Sequence, residues 1–350
     1  MKKKIALITG VTGQDGSHLI DFLIKKNYLV IGTKRKSSTF NTARIDHIYD
    51  NKDYSKNFIA VYADMTDSMS LLNVIKRFKP HEIYNLAAQS HVMTSFETPE
   101  YTANTNALGC LRILETIRIL NLEKKTRFYQ ASTSEIFGNT EIPQNENTPF
   151  KPTSPYAIAK LYAFWTTVNY REAYNMFACN GILFNHEGER RGQTFVTRKI
   201  SRFVAKRYHG SSEILKLGNI NAKRDWGYAK DYVEAMWKML QLQKPEDFVI
   251  STGKSKSVRQ FIEESFKVID IRIKWIGRGL KEKAIDPSNG NILVEIDPSY
   301  IRPSEIDELR GSYQKAKKIL KWKPKTTFSQ LVKHMVLDDI DKLENEKDNY

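Results

Sequence analysis

The sequence predicts an α/β protein with a doubly wound parallel sheet and a smaller C-terminal domain, and three observations support this prediction. Apolar, β-branched runs alternate with helical patterns along the first half of the chain. Glycines stand at positions 10, 13 and 16, directly after the first apolar run. The length of 350 residues is large for one compact core, so a second domain is expected.

The first element is an apolar run that begins at Ile5 and leads through the glycines into a helical stretch, Ser17 to Lys26. A helix N-terminus exposes unpaired N–H groups, and glycines let that backbone approach a phosphate closely. We expect Gly10 to form the turn, Gly13 to give access and Gly16 to allow helix packing. The segment therefore predicts a Rossmann-like dinucleotide site, with an ordinary strand–helix turn as the alternative.

The following elements repeat the strand–helix–strand rhythm, which predicts helices on both faces of the sheet. After Phe184 the rhythm gives way to a Gly/Arg-rich segment, and Asp231 to Gln241 and Phe248 to Ser251 are expected to return to the main sheet. We assign residues 1–187 and about 220–255 to the dinucleotide domain, and 188–219 and about 256–345 to a substrate domain. The further predicted strands are Leu29 to Thr33, Phe58 to Tyr62, Glu82 to Leu86, Arg127 to Ala131 and Phe177 to Leu183, with helices at Ser68 to Arg77, Tyr101 to Leu120 and Tyr156 to Tyr174.

Composition excludes several classes of function. The formal net charge is +15, but the basic clusters are scattered and no nucleic-acid module is visible, so we predict no nucleic-acid ligand. No stretch approaches the ~20 apolar residues of a membrane span. The two cysteines, Cys110 and Cys179, suit a reducing compartment, and the histidines lack metal-ligand spacing. We expect a soluble, cytoplasmic protein without a metal.

The end of the second predicted strand indicates which dinucleotide binds. An acidic residue there would select NAD, but this chain has Lys34, Arg35, Lys36 and Ser37. Cations and hydroxyls suit a 2′-phosphate, so the sequence favours NADP over NAD, with a solvated basic turn as the alternative. Asp64 and Met65, after the third strand, are expected to hold the adenine edge, although Asp is also a common turn residue.

A catalytic set follows the strand that ends near Ala131. Tyr156 and Lys160 lie four residues apart and share one face of a helix, so the Lys160 ammonium can stabilise a tyrosinate. Tyr156 can then remove a hydroxyl proton during hydride transfer, with Thr133 hydrogen-bonding the same oxygen. Tyr313 and Lys317 have the same spacing without the other features, so context and not spacing selects the first pair.

Glu135 adds chemistry that a simple dehydrogenase does not need. Once a sugar hydroxyl at C4 becomes a ketone, the C5 hydrogen is acidic, and a carboxylate can remove it while water leaves from C6. The hydride can then return to C6. The alternative is that Glu135 caps a turn or a helix end.

Several long strings carry a family resemblance, among them Thr9 to Gly16, Asn85 to His91, Tyr129 to Glu135 and Asn180 to Glu187. The chain resembles the GDP-mannose 4,6-dehydratase family of extended short-chain dehydrogenases/reductases over residues 3 to 335. The resemblance implies NADP-dependent conversion of GDP-mannose to GDP-4-dehydro-6-deoxymannose, a first step towards GDP-deoxyhexoses such as GDP-fucose or GDP-rhamnose. Related dehydratases acting on dTDP-glucose have Asp where this chain has Ser134, which supports the GDP-mannose assignment.

The resemblance implies catalytic roles for Thr133, Tyr156 and Lys160 in oxidation and for Glu135 in dehydration. The diphosphate of the substrate requires cations, which Lys199, Arg224 and Arg302 would supply. The full set expected at the cofactor is Gly10, Thr12, Gly13, Gln14, Asp15, Gly16, Arg35, Ser37, Asp64, Met65, Leu86, Ala87, Ala88, Ser90, Tyr156, Lys160, His186 and Arg191, and at the substrate Ser90, Asn185, Val196, Lys199, Leu217, Gly218, Arg224, Arg302 and Glu305.

Three positions depart from the family pattern. Gly188 and Glu189 replace a usual Ser-Pro, and Lys36 replaces a frequent Arg. The resemblance implies a homo-oligomer, a dimer or a tetramer, in which this loop and Ser37 to Arg44 reach a neighbour's cofactor site. The Glu189 carboxylate would oppose a phosphate contact there.

Two other functions remain compatible with the sequence. A sugar-nucleotide epimerase or reductase would use Tyr156 and Lys160 and leave Glu135 idle. A catalytically silent NADP-binding protein would not need the complete set of catalytic side chains. Net consumption of NADPH distinguishes a reductase from a dehydratase.

Overall fold

A seven-stranded parallel sheet forms the centre of the protein, in the order β11-β6-β5-β4-β1-β2-β3. The structure, a computed structural model, describes residues 3–301 and 304–347. The strands are β1 Ile5–Thr9, β2 Leu29–Lys34, β3 Phe58–Tyr62, β4 Glu82–Asn85, β5 Arg127–Thr133, β6 Ala178–Leu183, β7 His186–Glu187, β8 Leu215–Leu217, β9 Lys223–Asp225, β10 Gly227–Tyr228, β11 Phe248–Ile250, β12 Ser255–Ser257, β13 Lys274–Ile276, β14 Lys283–Ile285, β15 Ile292–Ile296 and β16 Glu308–Leu309.

Helices cover both faces of the sheet, as the alternating pattern predicts. The α-helices are α1 Gln14–Lys25, α2 Asp46–Asp50, α3 Lys52–Ser55, α4 Ser68–Phe78, α5 Val92–Glu97, α6 Pro99–Ala103, α7 Gly109–Ile119, α8 Pro155–Ala173, α9 Val196–Tyr208, α10 Ala229–Met239, α11 Val258–Lys267, α12 Gln314–Ile319 and α13 Phe328–Lys347, with a π-helix at Asn104–Leu108 and 3₁₀ turns at Ser134–Phe137, Gly279–Lys281 and Pro298–Tyr300. No helix within the described ranges combines the length and apolar character that crossing a membrane requires.

The position of β1 determines where the sheet can hold a ligand. β1 pairs with β2 on one side and with β4 on the other, so the connections leave it in opposite directions. Thr9, the last residue of β1, is in register with Thr33 and Asn85. In open parallel sheets such a reversal leaves a crevice beyond the carboxyl ends of the strands.

Two predicted elements differ from the structure in an informative way. The predicted helix Tyr101 to Leu120 is interrupted by the π-helix Asn104–Leu108. The Arg112 guanidinium donates to the carbonyls of Asn104 and Met65, 3.0 and 2.8 Å away, and so binds this turn to the loop after β3. β5 also extends past Ala131 to Thr133, which carries Thr133 to the sheet edge within a strand.

The C-terminal half contains a hydrophobic core of its own. Phe261 and Phe266 of α11 pack with Phe203 of α9 and with Leu331 and Val336 of α13. A four-stranded sheet, β13-β14-β15-β8, lies beside these helices. β9 pairs instead with β12 and β16, which places Arg224 between the main sheet and this second core.

A buried carboxylate fixes β9 to the end of the main sheet. Asp225 is fully buried and accepts hydrogen bonds from the Thr252 backbone at 2.8 Å, the Thr252 hydroxyl at 2.5 Å and the Gly253 backbone at 2.8 Å. The Gly311 N–H adds a fourth at 3.3 Å. Burial raises the pKa of Asp225 to about 6, although these donors favour the ionised form.

We expect Asp225→Ala to destabilise the protein by about 3 kcal/mol, because several buried donors lose their acceptor together. Denaturant unfolding followed by circular dichroism measures the change. Asp50→Ala, at the exposed end of α2, is the matched control and should shift stability by less than about 0.5 kcal/mol. Equal effects of the two substitutions would contradict a structural role for Asp225.

Candidate active site

A cleft of about 860 Å³ opens at the carboxyl ends of the central strands. It brings together residues that are far apart in the sequence, including the glycine turn, the end of β5 and the start of α8. Of the predicted site residues, the lining contains Gly10, Thr12, Gly13, Gln14, Asp15, Gly16, Arg35, Asp64, Met65, Leu86, Ala87, Ala88, Ser90, Thr133, Glu135, Tyr156, Lys160, Asn185, His186, Arg191, Val196, Lys199, Leu217, Gly218, Arg224 and Glu305.

Two predicted site residues are not in that lining. Ser37 is exposed, and its hydroxyl lies 3.2 Å from the hydroxyl of Thr39. Arg302 lies outside the described residues. The roles predicted for both remain predictions.

The glycine turn leaves backbone exposed where a side chain would not fit. Gly10 has a φ of +71°, and a Cβ there would lie 2.8 Å from the Cα of Ala87. A Cβ on Gly16 would lie 2.5 Å from the Gly10 carbonyl oxygen. Gly13 is the N-cap of α1 and provides no side-chain hydrogen bond, so the helix N-terminus is open to an anion. This cradle fits a pyrophosphate.

Asp15 and His186 form an ion pair beside this turn. The His186 Nε2–H donates to the Asp15 carboxylate at 2.7 Å, and its Nδ1–H donates to the Phe184 carbonyl at 2.7 Å. Both partners accept only, so the arrangement holds an imidazolium. Burial raises the pKa of Asp15, but His186 outweighs it and the pKa falls to about 2. The imidazolium offsets the Asp15 charge near the phosphate cradle.

The other end of the cleft fits an adenosine. Oδ1 of Asp64 accepts from the Thr66 backbone at 2.8 Å and from its hydroxyl at 2.7 Å, which orients the carboxylate. The carbonyl of Met65 is held by Arg112 at 2.8 Å. The Arg35 guanidinium lies at the rim and donates to the Tyr101 hydroxyl at 2.6 Å.

The predicted catalytic side chains meet at the end of β5, on the opposite side of the glycine turn from Asp64 and Met65. α8 begins at Pro155 and is capped by Ser154, whose hydroxyl accepts from the Ala157 N–H at 3.1 Å. Tyr156 therefore lies in the first turn, with Lys160 one turn further along the same face. The Lys160 Nζ donates to the carbonyl of Ala131 in β5 at 2.9 Å. The same strand carries Thr133 to the cleft.

Burial shifts the pKa values of this pair in opposite directions. It raises the pKa of Tyr156 to about 12, while a hydrogen bond with Thr133 acts to lower it. It lowers the pKa of Lys160 from 10.5 to about 8. The Lys160 ammonium lies 5.9 Å from the centre of the Tyr156 ring, so its positive charge favours the phenolate.

Glu135 is buried in the 3₁₀ turn that follows Thr133 and lines the same cleft. Its backbone N–H donates to the Thr133 hydroxyl at 3.3 Å. Asn185 also lines the cleft, and its Oδ1 is buried without a hydrogen-bond partner among the described residues. A polar ligand could supply that partner.

Cations line the end of the cleft formed by the C-terminal half. The Arg224 guanidinium donates to the Ile306 carbonyl at 2.8 Å and pairs with Glu305 at 3.2 Å. The Lys199 ammonium lies 4.4 Å from the centre of the Tyr300 ring. These contacts fix the two cations at the cleft.

The loop after β6 is held by ion pairs that the sequence did not reveal. Glu189 pairs with Lys230 at 2.6 Å and accepts from the Tyr228 hydroxyl at 3.1 Å, so its charge is balanced within the chain. The Arg191 Nε pairs with the buried Glu187 at 2.9 Å. Glu187 and Lys230 were missed because nothing in their spacing distinguishes them from the other charged residues of the sequence.

Comparisons with known proteins agree with this geometry. A family model described as GDP-mannose 4,6 dehydratase matches residues 7–335. The chain is 57% identical to the GDP-mannose 4,6 dehydratase of Drosophila melanogaster, over 97% of this chain and 87% of that protein. It is 55% identical to the GDP-mannose 4,6-dehydratase of Sinorhizobium fredii, over 97% of both chains.

Solved structures share the fold at much lower identity. The dTDP-glucose 4,6-dehydratase of Bacillus anthracis, solved in complex with NAD, superimposes with a TM-score of 0.77 at 21% identity over 98% of both chains. The Pseudomonas aeruginosa protein RMD, solved with NADPH, gives a TM-score of 0.74 at 20% identity, covering 97% of this chain and 98% of that one. The doubly wound α/β fold is therefore confirmed.

We expect Lys160→Met to raise the free energy of unfolding by about 2 kcal/mol at pH 7, because it removes an ammonium whose pKa is depressed in the folded state. Below pH 8, the approximate pKa of Lys160 in the folded state, the buried ammonium destabilises the wild type by its full amount. This destabilisation disappears as the pH rises towards 10.5, the pKa of the lysine in the unfolded chain. Denaturant unfolding at pH 7 and pH 10 measures it.

Lys124→Met, at an exposed position, is the control for loss of a lysine. A Lys160→Met protein that is less stable than wild type at pH 7 would show that Lys160 stabilises the fold.

Proposed function

The chain belongs to the GDP-mannose 4,6-dehydratase family, and we propose that it is a lyase that converts GDP-mannose to GDP-4-dehydro-6-deoxymannose and water. The observation that carries this proposal is that Glu135 shares one cleft with Thr133, Tyr156 and Lys160. An oxidation site alone needs only the last three side chains. A buried carboxylate beside them allows elimination as well.

We propose NADP as the cofactor, held by the glycine turn, by Asp64 and Met65, and by Arg35. When bound, it supplies the oxidant that takes a hydride from C4 of the sugar and returns it to C6. The cations after β2 and the missing carboxylate there favour the phosphorylated dinucleotide. The open N-terminus of α1 suits its pyrophosphate.

Tyr156 takes the proton of the C4 hydroxyl during oxidation. The positive charge of Lys160 favours the phenolate that accepts this proton, and the Ala131 carbonyl keeps the ammonium in place. The Thr133 hydroxyl donates to the oxygen at C4 as it becomes a carbonyl. These three groups therefore position one oxygen and remove one proton.

Glu135 then removes the proton from C5, which the neighbouring ketone has made acidic. The electron pair of the C5–H bond forms the C5–C6 double bond, and the C6–O bond breaks. The departing hydroxide takes a proton and leaves as water. Since Ser134 provides no second carboxylate, Glu135 both removes the C5 proton and delivers a proton to the leaving group. After the hydride has returned to C6, the enolate that remains on the sugar takes a proton at C5, and the proton that Tyr156 took from the C4 hydroxyl balances it.

The substrate domain comprises residues 188–219 and about 256–345 in this proposal, and the dinucleotide domain comprises 1–187 and about 220–255. Lys199, Arg224 and Arg302 bind the diphosphate of the sugar nucleotide. Asn185, whose Oδ1 lacks a protein partner among the described residues, binds the sugar. The product serves routes to GDP-deoxyhexoses such as GDP-fucose or GDP-rhamnose.

We propose a cytoplasmic location, because Cys110 and Cys179 are both buried free thiols and free thiols are typical of a reducing compartment.

We also propose a homodimer formed through α8. Ile158, Tyr162 and Trp165 lie on one side of this helix and are 58%, 44% and 55% exposed. An apolar helix face of this kind can pack against its copy about a two-fold axis.

The test of the reaction is incubation with GDP-mannose and a catalytic amount of NADP⁺, followed by mass spectrometry. Loss of one water without net formation of NADPH supports the dehydratase. In a parallel incubation supplied with NADPH, stoichiometric consumption of NADPH with no water lost indicates a reductase instead. Conversion of dTDP-glucose or UDP-sugars in place of GDP-mannose would overturn the substrate, and no turnover of any sugar would favour a silent binding protein.

We predict that Glu135→Gln lowers the rate of water elimination about 10²- to 10⁴-fold, because the amide cannot take the C5 proton. Mass spectrometry measures the rate, and calorimetry should show GDP-mannose affinity within about twofold of wild type. Glu141→Gln, at an exposed position, should leave both unchanged. Elimination that survives Glu135→Gln would contradict the assigned role.

We predict that Trp165→Glu converts the dimer to a monomer, because a charge would be buried at the centre of the interface. Size-exclusion chromatography with light scattering measures the mass. Ile276→Glu places the same charge on β13, away from α8, and should leave the mass unchanged. An unaltered dimer in Trp165→Glu would exclude this face.

A further inference from the structure

Arg35 and Tyr101 meet at the rim of the cleft, although 66 residues separate them in the chain. Arg35 directly follows β2, and Tyr101 lies in α6 on the other side of the cleft rim. The Arg35 Nη1 donates to the Tyr101 hydroxyl at 2.6 Å. Asp64 and Met65 line the same end of the cleft.

The positive charge of Arg35 is available to a ligand. Among the described residues, no carboxylate lies within ion-pair distance of its guanidinium. The phenol oxygen of Tyr101 is a neutral acceptor, so it orients the guanidinium without cancelling its charge. Lys34 and Lys36 instead lie over the ring of Tyr62, 5.4 and 6.0 Å from its centre.

Accepting this hydrogen bond also determines what the Tyr101 hydroxyl can do next. Because the Tyr101 oxygen already accepts a hydrogen bond from Arg35, the Tyr101 O–H is left to donate a hydrogen bond to another group. A hydroxyl that accepts from a cation is polarised and becomes a stronger donor. An anion at the rim would therefore receive one N–H of Arg35 and the O–H of Tyr101 together.

The sequence gives this donor role to Ser37, but the structure offers a different hydroxyl. Ser37 is absent from the cleft lining, and its hydroxyl lies 3.2 Å from that of Thr39. Tyr101 is 40% exposed and lines the cleft. Tyr101 thus occupies the place where a second hydrogen-bond donor to a 2′-phosphate is needed.

We propose that Tyr101 is a specificity-determining residue that favours a dinucleotide with a 2′-phosphate over one with a 2′-hydroxyl. This inference rests on the proposed use of NADP. A phosphate oxygen accepts charge-assisted hydrogen bonds from both Arg35 and Tyr101. A neutral ribose hydroxyl gains much less from the same two donors. The Tyr101 hydroxyl consequently contributes to discrimination and not to binding of the dinucleotide as a whole.

The experiment is a fluorescence titration of the full chain with NADPH and with NADH, at one ionic strength. Wild type should bind NADPH more tightly than NADH. Tyr101→Phe keeps the ring and removes only the hydroxyl, and it should weaken NADPH binding about tenfold while NADH binding changes by less than about twofold. Tyr208→Phe removes an exposed hydroxyl on α9 and should change neither Kd.

A double-mutant cycle tests whether the two residues act together. Once Arg35→Gln has removed the guanidinium, adding Tyr101→Phe should cost clearly less than the tenfold that it costs alone. Fully additive losses would overturn the coupling of Tyr101 to Arg35.

The remaining outcomes separate this inference from the cofactor proposal. A wild type that prefers NADPH, with the same preference in Tyr101→Phe, overturns the role of Tyr101 and leaves NADP in place. Equal weakening of NADPH and NADH in Tyr101→Phe overturns specificity, because the hydroxyl would then contact a part common to both. A wild type without preference overturns the use of NADP, and this inference with it.

Discussion

The parallel direction of all seven central strands is the constraint on which the site depends. Because every strand points the same way, the glycine turn after β1, Asp64 after β3 and Thr133 at the end of β5 all reach one edge of the sheet. The chain leaves β1 towards β2 and later returns on its other side through β4. That reversal keeps the connections apart, so a cleft forms where they diverge.

One costly feature inside this cleft is the buried ammonium of Lys160. Among the described residues, its one hydrogen-bond acceptor is the Ala131 carbonyl, and burial depresses its pKa to about 8. A fold selected only for stability would place an apolar side chain there. β5 holds the ammonium at Ala131 and presents Thr133 two residues later, so one strand places the proposed cation and the proposed orienting hydroxyl beside Tyr156.

Much of this arrangement could be predicted from the sequence, because it depends on local patterns. The glycine spacing, the strand before Thr133 and the Tyr156–Lys160 pair each belong to a single short segment. The structure brings these segments together as the parallel sheet requires. Phe58–Tyr62 even has the predicted bounds. Tyr313, whose spacing to Lys317 is that of the predicted catalytic pair, packs instead on Trp322 and is the N-cap residue of α12, without a capping hydrogen bond from its side chain.

Contacts between distant segments could not be predicted in this way. No pattern in the sequence distinguishes Asp225 from other aspartates, and only the fold brings its carboxylate to Thr252 and Gly311. The sequence predicts one continuous helix from Tyr101 to Leu120. In the structure Tyr101 lies in α6, just before the π-helix, and its hydroxyl accepts a hydrogen bond from Arg35. Such pairings depend on how loops pack across the sheet edge, and no local pattern in the sequence marks them.

The most direct measurement is the fate of deuterium placed at C4 of GDP-mannose during turnover in ordinary water. If one site removes the C4 hydride, eliminates water and returns the same hydride, the account predicts a product that has lost one water and carries the deuterium on its C6 methyl group. A product without deuterium at C6, or deuterium that accumulates in free NADPH, would contradict the account.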